Sequence, residues 1–337
     1  MGGMAALGGL AGGFAGGFAM PTHAAGAAAL IPAHIANGRG NPTLVLQEVA
    51  RQQGYFEQLG LETTTVNAGG TKIISAILNG EQDISVLVGF PSVLPAIERG
   101  GKLKILAGAG LMPELTVYSK NPKVRSLKDL EGKTVGTSAP GGLLHQLMVA
   151  MFQKHGIDIK KITFVKIGGS AAVFRAVAAG IVDAGPAPVD VHLFMDKYGV
   201  HALSDGNTWI ELPEFTFQGA FTAEATIAKK RDVIVRLLAG YAKLFRFING
   251  PDSKDAWVKA WMKLLSGKDP KQSRAEAEYQ WNFFQKYKPY AGDLILSKER
   301  VAYMQKLNVS LGIQKKILPY EQVVDNSLAR DALKLIA

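Results

Sequence analysis

The sequence predicts an α/β protein with two related lobes, each a mainly parallel sheet flanked by helices. Short apolar runs alternate with helical periodicity from residue 30, and the alternation restarts after about residue 114. This pattern is typical of parallel strands joined by crossover helices. From Arg231 onward the chain changes to successive amphipathic helices. A length of 337 residues fits about two domains.

The first alternating stretch predicts four strands and three helices. Strands are expected over 33–36, 61–66, 84–88 and 103–107, and helices over 41–54, 73–78 and 93–98. Asn41 is expected to cap the first helix, with Pro42 as its first helical residue. The run 84–88 carries no charge, as in strands that are covered on both faces.

The second stretch and the C-terminal region complete the list of elements. Strands are expected over 135–137, 163–167 and 182–184, and helices over 143–155, 171–179 and 189–198. Further helices are expected over 233–249, 256–265, 275–287, 298–311 and 325–336. Four prolines fall between or at the start of these helices, where helix breakers belong: Pro251, Pro270, Pro289 and Pro319.

An internal repeat of about 100 residues indicates that the two lobes are related. Gly69-Gly70-Thr71 precedes a helix that ends at Gly80, with Asp83 and a strand following. Gly168-Gly169-Ser170 begins the same order, which ends with Gly180 and Asp183. In each copy Thr71 or Ser170 is expected to cap the helix, and a glycine is expected to close it.

The first 29 residues form a separate segment that is interpreted as an export signal. Nineteen of them are Gly or Ala, none is charged, and Ala25-Gly26-Ala27 and Thr22-His23-Ala24 are candidate cleavage sites. The mature chain is expected to begin between Ala25 and Ala29. A positive n-region is missing, so a basic, twin-arginine type of leader is expected further upstream. A Gly/Ala tail without structure is the alternative.

Composition narrows the possible functions. The chain has no cysteine, which excludes disulfides, thiolate zinc sites and cysteine nucleophiles. The net charge of +10 comes from lysines scattered among acids in the C-terminal region, which indicates a solvated helical surface rather than a nucleic-acid site. The six histidines lack zinc-helix spacing, and no nucleophile elbow occurs. No catalytic residue, metal or cofactor is therefore predicted.

Five loops share one design, in which a strand ends, a Gly/Pro/Ser/Thr/Asn stretch turns and a helix begins. They cover 38–41, 69–71, 89–92, 138–142 and 168–170. Ligands of open α/β sheets bind at the carboxyl ends of strands, and helix N-termini favour anions. None of the five loops contains an acidic residue, and Arg39 lies between two glycines. A carboxylate or sulfonate is favoured over a cation.

Several motifs in a fixed order carry a family resemblance over residues 31–250. They are Gly54-Tyr55-Phe56-Glu57 with Gly60-Leu61, Gly80-Glu81 with Asp83-Ile84, the run Ser126–Lys133, Ser138 with Pro140-Gly141-Gly142, and Ala179-Gly180 with Asp183-Ala184. The chain resembles ABC-transporter solute-binding proteins of the nitrate/sulfonate/taurine type, which are similar to thiamine-pyrimidine precursor binding proteins.

The resemblance implies a two-lobed periplasmic-binding-protein (type II) fold that closes on a small organic solute. Hinge strands would lie near Leu115–Ser119 and Phe217–Thr222, with lobe one at 30–113 plus 222–337 and lobe two at 114–221. It implies a monomeric periplasmic protein that has no catalytic activity and delivers its solute to an inner-membrane ABC permease. The implied ligand-binding residues are Arg39, Asn41, Gly70, Thr71, Phe90, Pro91, Ser92, Ser138, Gly141, Gly142, Gly169, Ser170, Pro188 and Asp190.

One departure from the family bears on the ligand. Many relatives have Glu before the proline that follows the Asp183 strand, whereas this chain has Ala187-Pro188. Relatives that bind a cationic or amino-bearing ligand are therefore weaker guides, although Asp190 offers another acidic contact. The alternatives are a pyrimidine binder or thiamine-pyrimidine-type enzyme, whose cysteine-rich motif this chain lacks, and a sensing module coupled to a membrane receptor.

Overall fold

The computed structural model describes residues 29–337, so the predicted export segment lies almost wholly outside the described residues. The strands are β1 Ile31–Asn37, β2 Leu61–Asn67, β3 Leu103–Gly108, β4 Leu115–Ser119, β5 Thr134–Thr137, β6 Thr163–Lys166, β7 Ala184–Pro188, β8 His201–Asn207 and β9 Gly219–Ala223. The longer helices are α1 Asn41–Gln53, α2 Gly70–Leu78, α3 Val93–Glu98, α4 Leu143–Lys154, α5 Ser170–Ala178, α8 Glu224–Asn249, α9 Lys254–Leu265, α10 Pro270–Tyr287, α11 Lys298–Ser310 and α13 Ser327–Lys334. Three single-turn helices, α6 Met195–Tyr198, α7 Thr208–Glu211 and α12 Tyr320–Val323, complete the set in this part of the chain.

The middle of the chain, residues 115–207, builds a five-stranded sheet in the order β6-β5-β7-β4-β8. β5 pairs in parallel with β6 and β7, whereas β4 runs antiparallel to β7 and β8. We call this sheet with its helices lobe two. The strand predicted over 182–184 begins at Ala184, and the helix predicted over 189–198 is a 3-10 segment, Val189–Phe194, followed by α6.

The strands that flank this segment in the sequence, β1 to β3 and β9, have the same order, interrupted at its centre. β1 pairs in parallel with β2, and β3 pairs antiparallel with β9. The segment 84–89 joins these two pairs through isolated bridges from Ile84 to Ile35, from Ser85 to Phe221 and from Gly89 to Gln218. The resulting order, β2-β1-(84–89)-β9-β3, matches that of lobe two. We call this sheet with its helices lobe one.

The prediction of a regular strand over 84–88 is wrong, because the side chain of Asn37 replaces part of the backbone hydrogen bonding that a regular strand would make. Asn37 is fully buried, and its Oδ1 accepts hydrogen bonds from the amides of Val86 and Leu87 at 3.1 and 2.8 Å. Its Nδ2 donates to the Tyr241 hydroxyl of α8 at 2.9 Å. These bonds satisfy buried amides that a neighbouring strand would otherwise pair with.

The structure confirms the internal repeat through one pair of carboxylates. Asp83 Oδ2 accepts from the His34 amide in β1 at 2.9 Å, and Asp183 Oδ2 accepts from the Thr134 amide in β5 at 2.9 Å. The sequence separation is 49 residues in both cases. Asp83 therefore bonds the start of the segment 84–89 to β1, and Asp183 bonds the start of β7 to β5. The two lobes use the same contact.

The predicted helix caps are partly wrong. The capping positions of α1, α2 and α5 are Gly40, Gly69 and Gly169, and none of these helices receives a side-chain cap. Asn41, Thr71 and Ser170 lie one or two residues further on, inside the first turn. The closing glycines are confirmed, because Gly80 and Gly180 both have the left-handed backbone that glycine favours, at φ 75° and 72°.

The chain crosses between the lobes twice. It leaves β3 for β4 through residues 109–114, and it returns from α7 to β9 through residues 212–218. The predicted hinge strand Leu115–Ser119 coincides with β4, and the second corresponds to β9, which begins at Gly219. Because β9 pairs with β3, we propose that lobe one resumes at residue 219, three residues before the predicted boundary.

The C-terminal helices cover lobe one. Side chains of α8 and α9 such as Leu238 and Trp257 pack in one apolar cluster with Ile35 of β1 and Val45 of α1. A second cluster extends from lobe one through Phe90 into the interior of lobe two. None of the helices within residues 29–337 combines the length and apolar character needed to cross a bilayer.

Candidate ligand-binding site

The glycine-rich loops of the two lobes meet at one boundary, because parallel strands end on the same edge of each sheet. A Cβ atom added to Gly89 would lie 3.4 Å from the Leu143 side chain at the start of α4. A Cβ atom added to Gly70 would lie 3.5 Å from Ser92 Oγ. Loops around 70, 90 and 140 are therefore neighbours, as the sequence predicts.

One hollow at this boundary belongs to lobe one and has a volume of about 300 Å³. We call it the lobe-one hollow, and its lining residues are Arg39, Gly69, Gly70, Thr71 and Lys72. Arg39 is exposed and is held by one hydrogen bond, from its Nε to the Asn67 carbonyl oxygen at 3.2 Å. The amides of the first turn of α2 face no capping side chain, so the hollow combines two cations with a helix N-terminus.

A second hollow, of about 330 Å³, lies between the lobes. We call it the interlobe hollow, and its lining residues are Ser92, Pro95, Arg99, Pro140, Gly141, His145, Leu311 and Ile313. Gly141 has a φ of 75°, and a Cβ atom there would lie 3.2 Å from Ile313. The close approach of the two lobes at this point requires glycine.

Side chains of α4 hold the predicted loop 138–142 in place. Ser138 Oγ accepts from the His145 amide at 3.3 Å, and Gln146 Nε2 donates to the Gly141 carbonyl oxygen at 2.8 Å. His145 Nδ1 accepts from the Gly141 amide at 3.3 Å, so its proton resides on Nε2 when the ring is neutral. Burial lowers the pKa of His145, which favours this neutral ring as a hydrogen-bond donor toward the hollow.

The other predicted site residues are placed differently. The Phe90 ring is fully buried and packs beneath Gly219, and the buried Pro91 offers its carbonyl oxygen to Asn308. The expectation that both side chains face a cleft is therefore wrong, because this turn inserts into the core. The remaining residues start helices or end a strand without lining either hollow: Asn41, Ser138, Gly142, Gly169, Ser170 and Pro188.

Asp190 also lies outside both hollows, in the junction between lobe two and α10. Its Oδ1 is buried and has no hydrogen-bond partner within residues 29–337. Burial, with the charge of Glu276, raises the pKa of Asp190 to about 7. The carboxyl group faces the packed junction rather than the basic hollows.

Several lining residues were not predicted. Lys72, Arg99 and His145 add basic or donor groups, and Leu311 and Ile313 add an apolar wall from the end of α11. Lys72 follows the Gly-Gly-Thr turn directly, and this position in the sequence was the signal that could have identified it as a lining residue. The rest depend on where α3, α4 and α11 pack against one another, which no local pattern encodes.

The chemistry of the two hollows suits an anion. Their linings contain Arg39, Lys72 and Arg99, and no acidic residue. Guanidinium and backbone N–H groups bind carboxylate or sulfonate oxygens through charge-assisted hydrogen bonds. No group of three or more His, Asp or Glu residues that could hold a metal ion occurs in the described part of the chain.

A family model described as NMT1/THI5 like matches residues 41–249. The chain belongs to this family. A relative named "Putative binding protein YtlA", from Bacillus subtilis (strain 168), is 23% identical over 288 residues, covering 83% of this chain and 84% of that protein. The membership confirms the resemblance read from the motifs.

Solved structures confirm the two-lobed periplasmic-binding-protein fold. The alkanesulfonate-binding protein SsuA from Xanthomonas axonopodis pv. citri, bound to MOPS, superposes with a TM-score of 0.68 at 18% identity and covers 88% of this chain and 99% of its own. The desulfurization enzyme DSZB, as a cysteine-to-serine mutant with biphenyl-2-sulfinic acid, has a TM-score of 0.62 at 13% identity, with coverages of 91% and 100%. The printed name of YtlA agrees with the prediction of a binding protein rather than an enzyme.

Proposed function

We propose that the NMT1/THI5-like family member described here is the periplasmic solute-binding component of an ABC importer and captures a small organic anion between its lobes. The observation that carries the proposal is the lining of both hollows, which is basic, free of acids and adjacent to helix N-termini. The SsuA protein bound to MOPS, a sulfonate, supports the same solute class. The protein needs no cofactor and works as a monomer that hands its solute to an inner-membrane permease.

The lobe-one hollow is proposed to bind the charged group of the solute. Arg39 offers a planar fork of donors that matches a carboxylate or sulfonate, and Lys72 adds a point charge beside the free amides of α2. Arg39 already donates one bond to the Asn67 carbonyl oxygen, which holds the guanidinium near its working position. A preorganised donor loses less freedom on binding than a mobile one.

The interlobe hollow is proposed to bind the apolar body of the solute. Pro95 and Ser92 come from lobe one, Pro140 and His145 from lobe two, and Ile313 from the segment after α11. A solute that contacts both lobes binds the closed arrangement more tightly than the open one, so binding shifts the population toward closure. Closure then signals the loaded state to the permease.

Calorimetry with a solute panel tests the proposal. The panel contains MOPS, taurine, short alkanesulfonates and carboxylates as anions, and a pyrimidine amine and a polyamine as cations. We expect an anion to bind intact, without turnover. Tight binding of a cationic solute, with no anion bound, would contradict the charge assignment, and chemical conversion of a solute would contradict the binding-protein role.

Arg39→Ala locates the charged group. Loss of hydrogen bonds to a charged ligand costs about 1.5–3 kcal/mol, which corresponds to about 10- to 150-fold weaker binding of the anion found in the panel. Arg274→Ala is the matched control, because Arg274 is an exposed arginine of α10 outside both hollows. Equal affinities of the two variants would remove Arg39 from the site.

The enzyme alternative lacks support in this chain. The DSZB structure that resembles it is a cysteine-to-serine mutant, and this chain has no cysteine at any position.

A further inference from the structure

Two carboxyl groups lie where lobe two rests on α10, and the proposed solute site uses neither. Glu114 is buried, and Asp190 is half-buried with a buried Oδ1 atom. Glu114 lies in the first crossing between the lobes and is 7% exposed. Asp190 lies in the 3-10 segment that follows β7. Helix α10 packs with α9 and α8 on lobe one, so both acids sit in the contact between the lobes. We call Glu114 and Asp190 the junction pair.

The internal repeat shows how unusual Asp190 is. The equivalent position in the first half, 100 residues earlier, is Phe90, whose ring is fully buried against Gly219. Lobe two therefore places a half-buried carboxyl group at the position where lobe one buries a phenyl ring. The Asp190 Oδ1 atom is buried and has no partner within residues 29–337. A buried polar atom without a partner is costly, and the cost is far greater when the group is charged.

Glu114 is satisfied only as a local network. Its Oε2 accepts from Gln280 Nε2 of α10 at 2.7 Å, and Tyr290 lies close enough to influence its pKa. Both residues belong to the C-terminal region that covers lobe one. Glu114 thus connects the crossing segment to the helix on which lobe two rests.

The groups that face the pair bring no positive charge. Asp190 is close enough to influence Glu114, Tyr118 of β4 and Tyr279 of α10, and Glu276 of α10 acts on Asp190 in turn. His192 accepts or donates at the Tyr118 hydroxyl at 2.7 Å, and its ring stacks on Tyr279. Burial lowers the pKa of His192, so this ring is neutral at pH 7. No Lys or Arg is among these groups.

We propose that the junction pair is a proton-controlled latch: lobe two seats firmly on α10 while both carboxyl groups hold protons, and the contact loosens when they ionise. A neutral carboxyl group tolerates the dry junction, whereas a carboxylate there has no cation to neutralise it and repels its neighbour. The latch is independent of the identity of the solute and of the proposed function.

The direction of the pH dependence follows from the buried state. Burial raises the pKa of Asp190 to about 7 and, with the charge of Asp190 as a smaller contribution, the pKa of Glu114 to about 8. Groups with raised pKa values stabilise the seated state fully at low pH, below their ordinary values of 3.8 and 4.5. That stabilisation is lost as pH rises through about 7 and then 8. Between the ordinary and the raised pKa values, the ratio of seated to loosened protein should fall by up to about tenfold per pH unit for each ionising group. The ratio should level off once pH exceeds about 8, where both groups are ionised in both states.

The test measures the solute-free full chain between pH 5.5 and 9 by small-angle scattering and thermal unfolding. In the wild type, the radius of gyration should rise and the unfolding midpoint should fall as pH increases from 5.5 to about 8, and both should level off at higher pH. Asp190→Asn and Glu114→Gln mimic the protonated groups, and the double variant should keep a constant radius over this range. Asp196→Asn, an exposed residue of α6, is the matched control and should keep the wild-type profile.

Two outcomes would overturn the latch. One is a wild-type radius and midpoint that do not change between pH 6 and 9. The other is a double variant that retains the wild-type pH profile, which would assign the transition to other groups. Carboxyl carbon chemical shifts in the wild-type protein provide a measurement that does not depend on variant folding, and an Asp190 carboxyl that titrates near pH 4 contradicts the proposal.

Discussion

Replacing Asp183 with Ala should destabilise the protein by about 3 kcal/mol at pH 7. Asp183 Oδ2 accepts from the Thr134 amide and the Thr134 hydroxyl at 2.9 and 2.8 Å, and Oδ1 accepts from Asn121 Nδ2 at 3.2 Å. Each hydrogen bond to a charged group contributes about 1.5–3 kcal/mol, so the two shorter bonds give about 3–6 kcal/mol. Because Thr134 is only half-buried, water partly replaces the carboxylate, and the lower end applies.

The assay is urea unfolding followed by circular dichroism at pH 7 and pH 3. Burial raises the pKa of Asp183, but the hydrogen bonds from Thr134 and Asn121 outweigh it and leave the pKa below its usual value of 3.8. The stabilisation is therefore present above pH 3.8 and lost as pH falls further. The difference between wild type and Asp183→Ala should shrink at pH 3. Asp196→Asn serves as the control on an exposed carboxylate.

Two results would refute this reasoning. A loss below about 1 kcal/mol at pH 7 would mean that the bonds to Thr134 contribute no more than neutral bonds exposed to water. An equal loss at pH 7 and pH 3 would mean that the carboxylate charge plays no part.

Three further substitutions test core packing and the pairing of buried polar groups. Gly185→Ala should lower the free energy of unfolding by about 1–3 kcal/mol, because the new Cβ would lie 2.4 Å from Val173 Cγ1 and 2.8 Å from the Gly136 carbonyl oxygen. An unchanged urea midpoint would contradict this prediction. Asn37→Leu should lower the free energy of unfolding by about 2–6 kcal/mol, because it leaves two buried amides unpaired at about 1–3 kcal/mol each. Tyr241→Phe removes only the bond to Asn37 Nδ2 and should lower it by about 0.5–1.5 kcal/mol. Similar losses in both variants would show that the amides do not depend on Asn37.

The sequence predicted most elements because local pattern and the repeat agree. The helix Val93–Glu98 has the bounds that the pattern predicts, and the strand Leu115–Ser119 lies where the family resemblance implies a hinge strand. β8, over His201–Asn207, was missed because its Ser-Asp-Gly-Asn end is typical of a turn. The structure uses those residues in tertiary contacts: Asp205 accepts from the Leu127 amide at 2.8 Å, and a Cβ atom on Gly206 would lie 2.9 Å from the Val117 carbonyl oxygen.

The candidate site was predicted at the level of loops and not of side chains. The loop positions follow from strand ends, and Arg39, Gly70, Thr71, Ser92 and Gly141 do line the two hollows. A local pattern does not show which side of a turn the opposite lobe covers. Phe90 is therefore expected in the cleft although its ring enters the core, and His145 is absent from the expected site residues although it lines the interlobe hollow.

The double crossing has a consequence for how the chain is made. β3 cannot find its partner β9 until residues 219–223 have left the ribosome, whereas all five strands of the second sheet lie between residues 115 and 207. Domains tend to fold as they emerge during synthesis. The middle of the chain should therefore fold first. The N-terminal strands remain without their partner β9, and their apolar surfaces stay uncovered, until the last third of the protein has been synthesised.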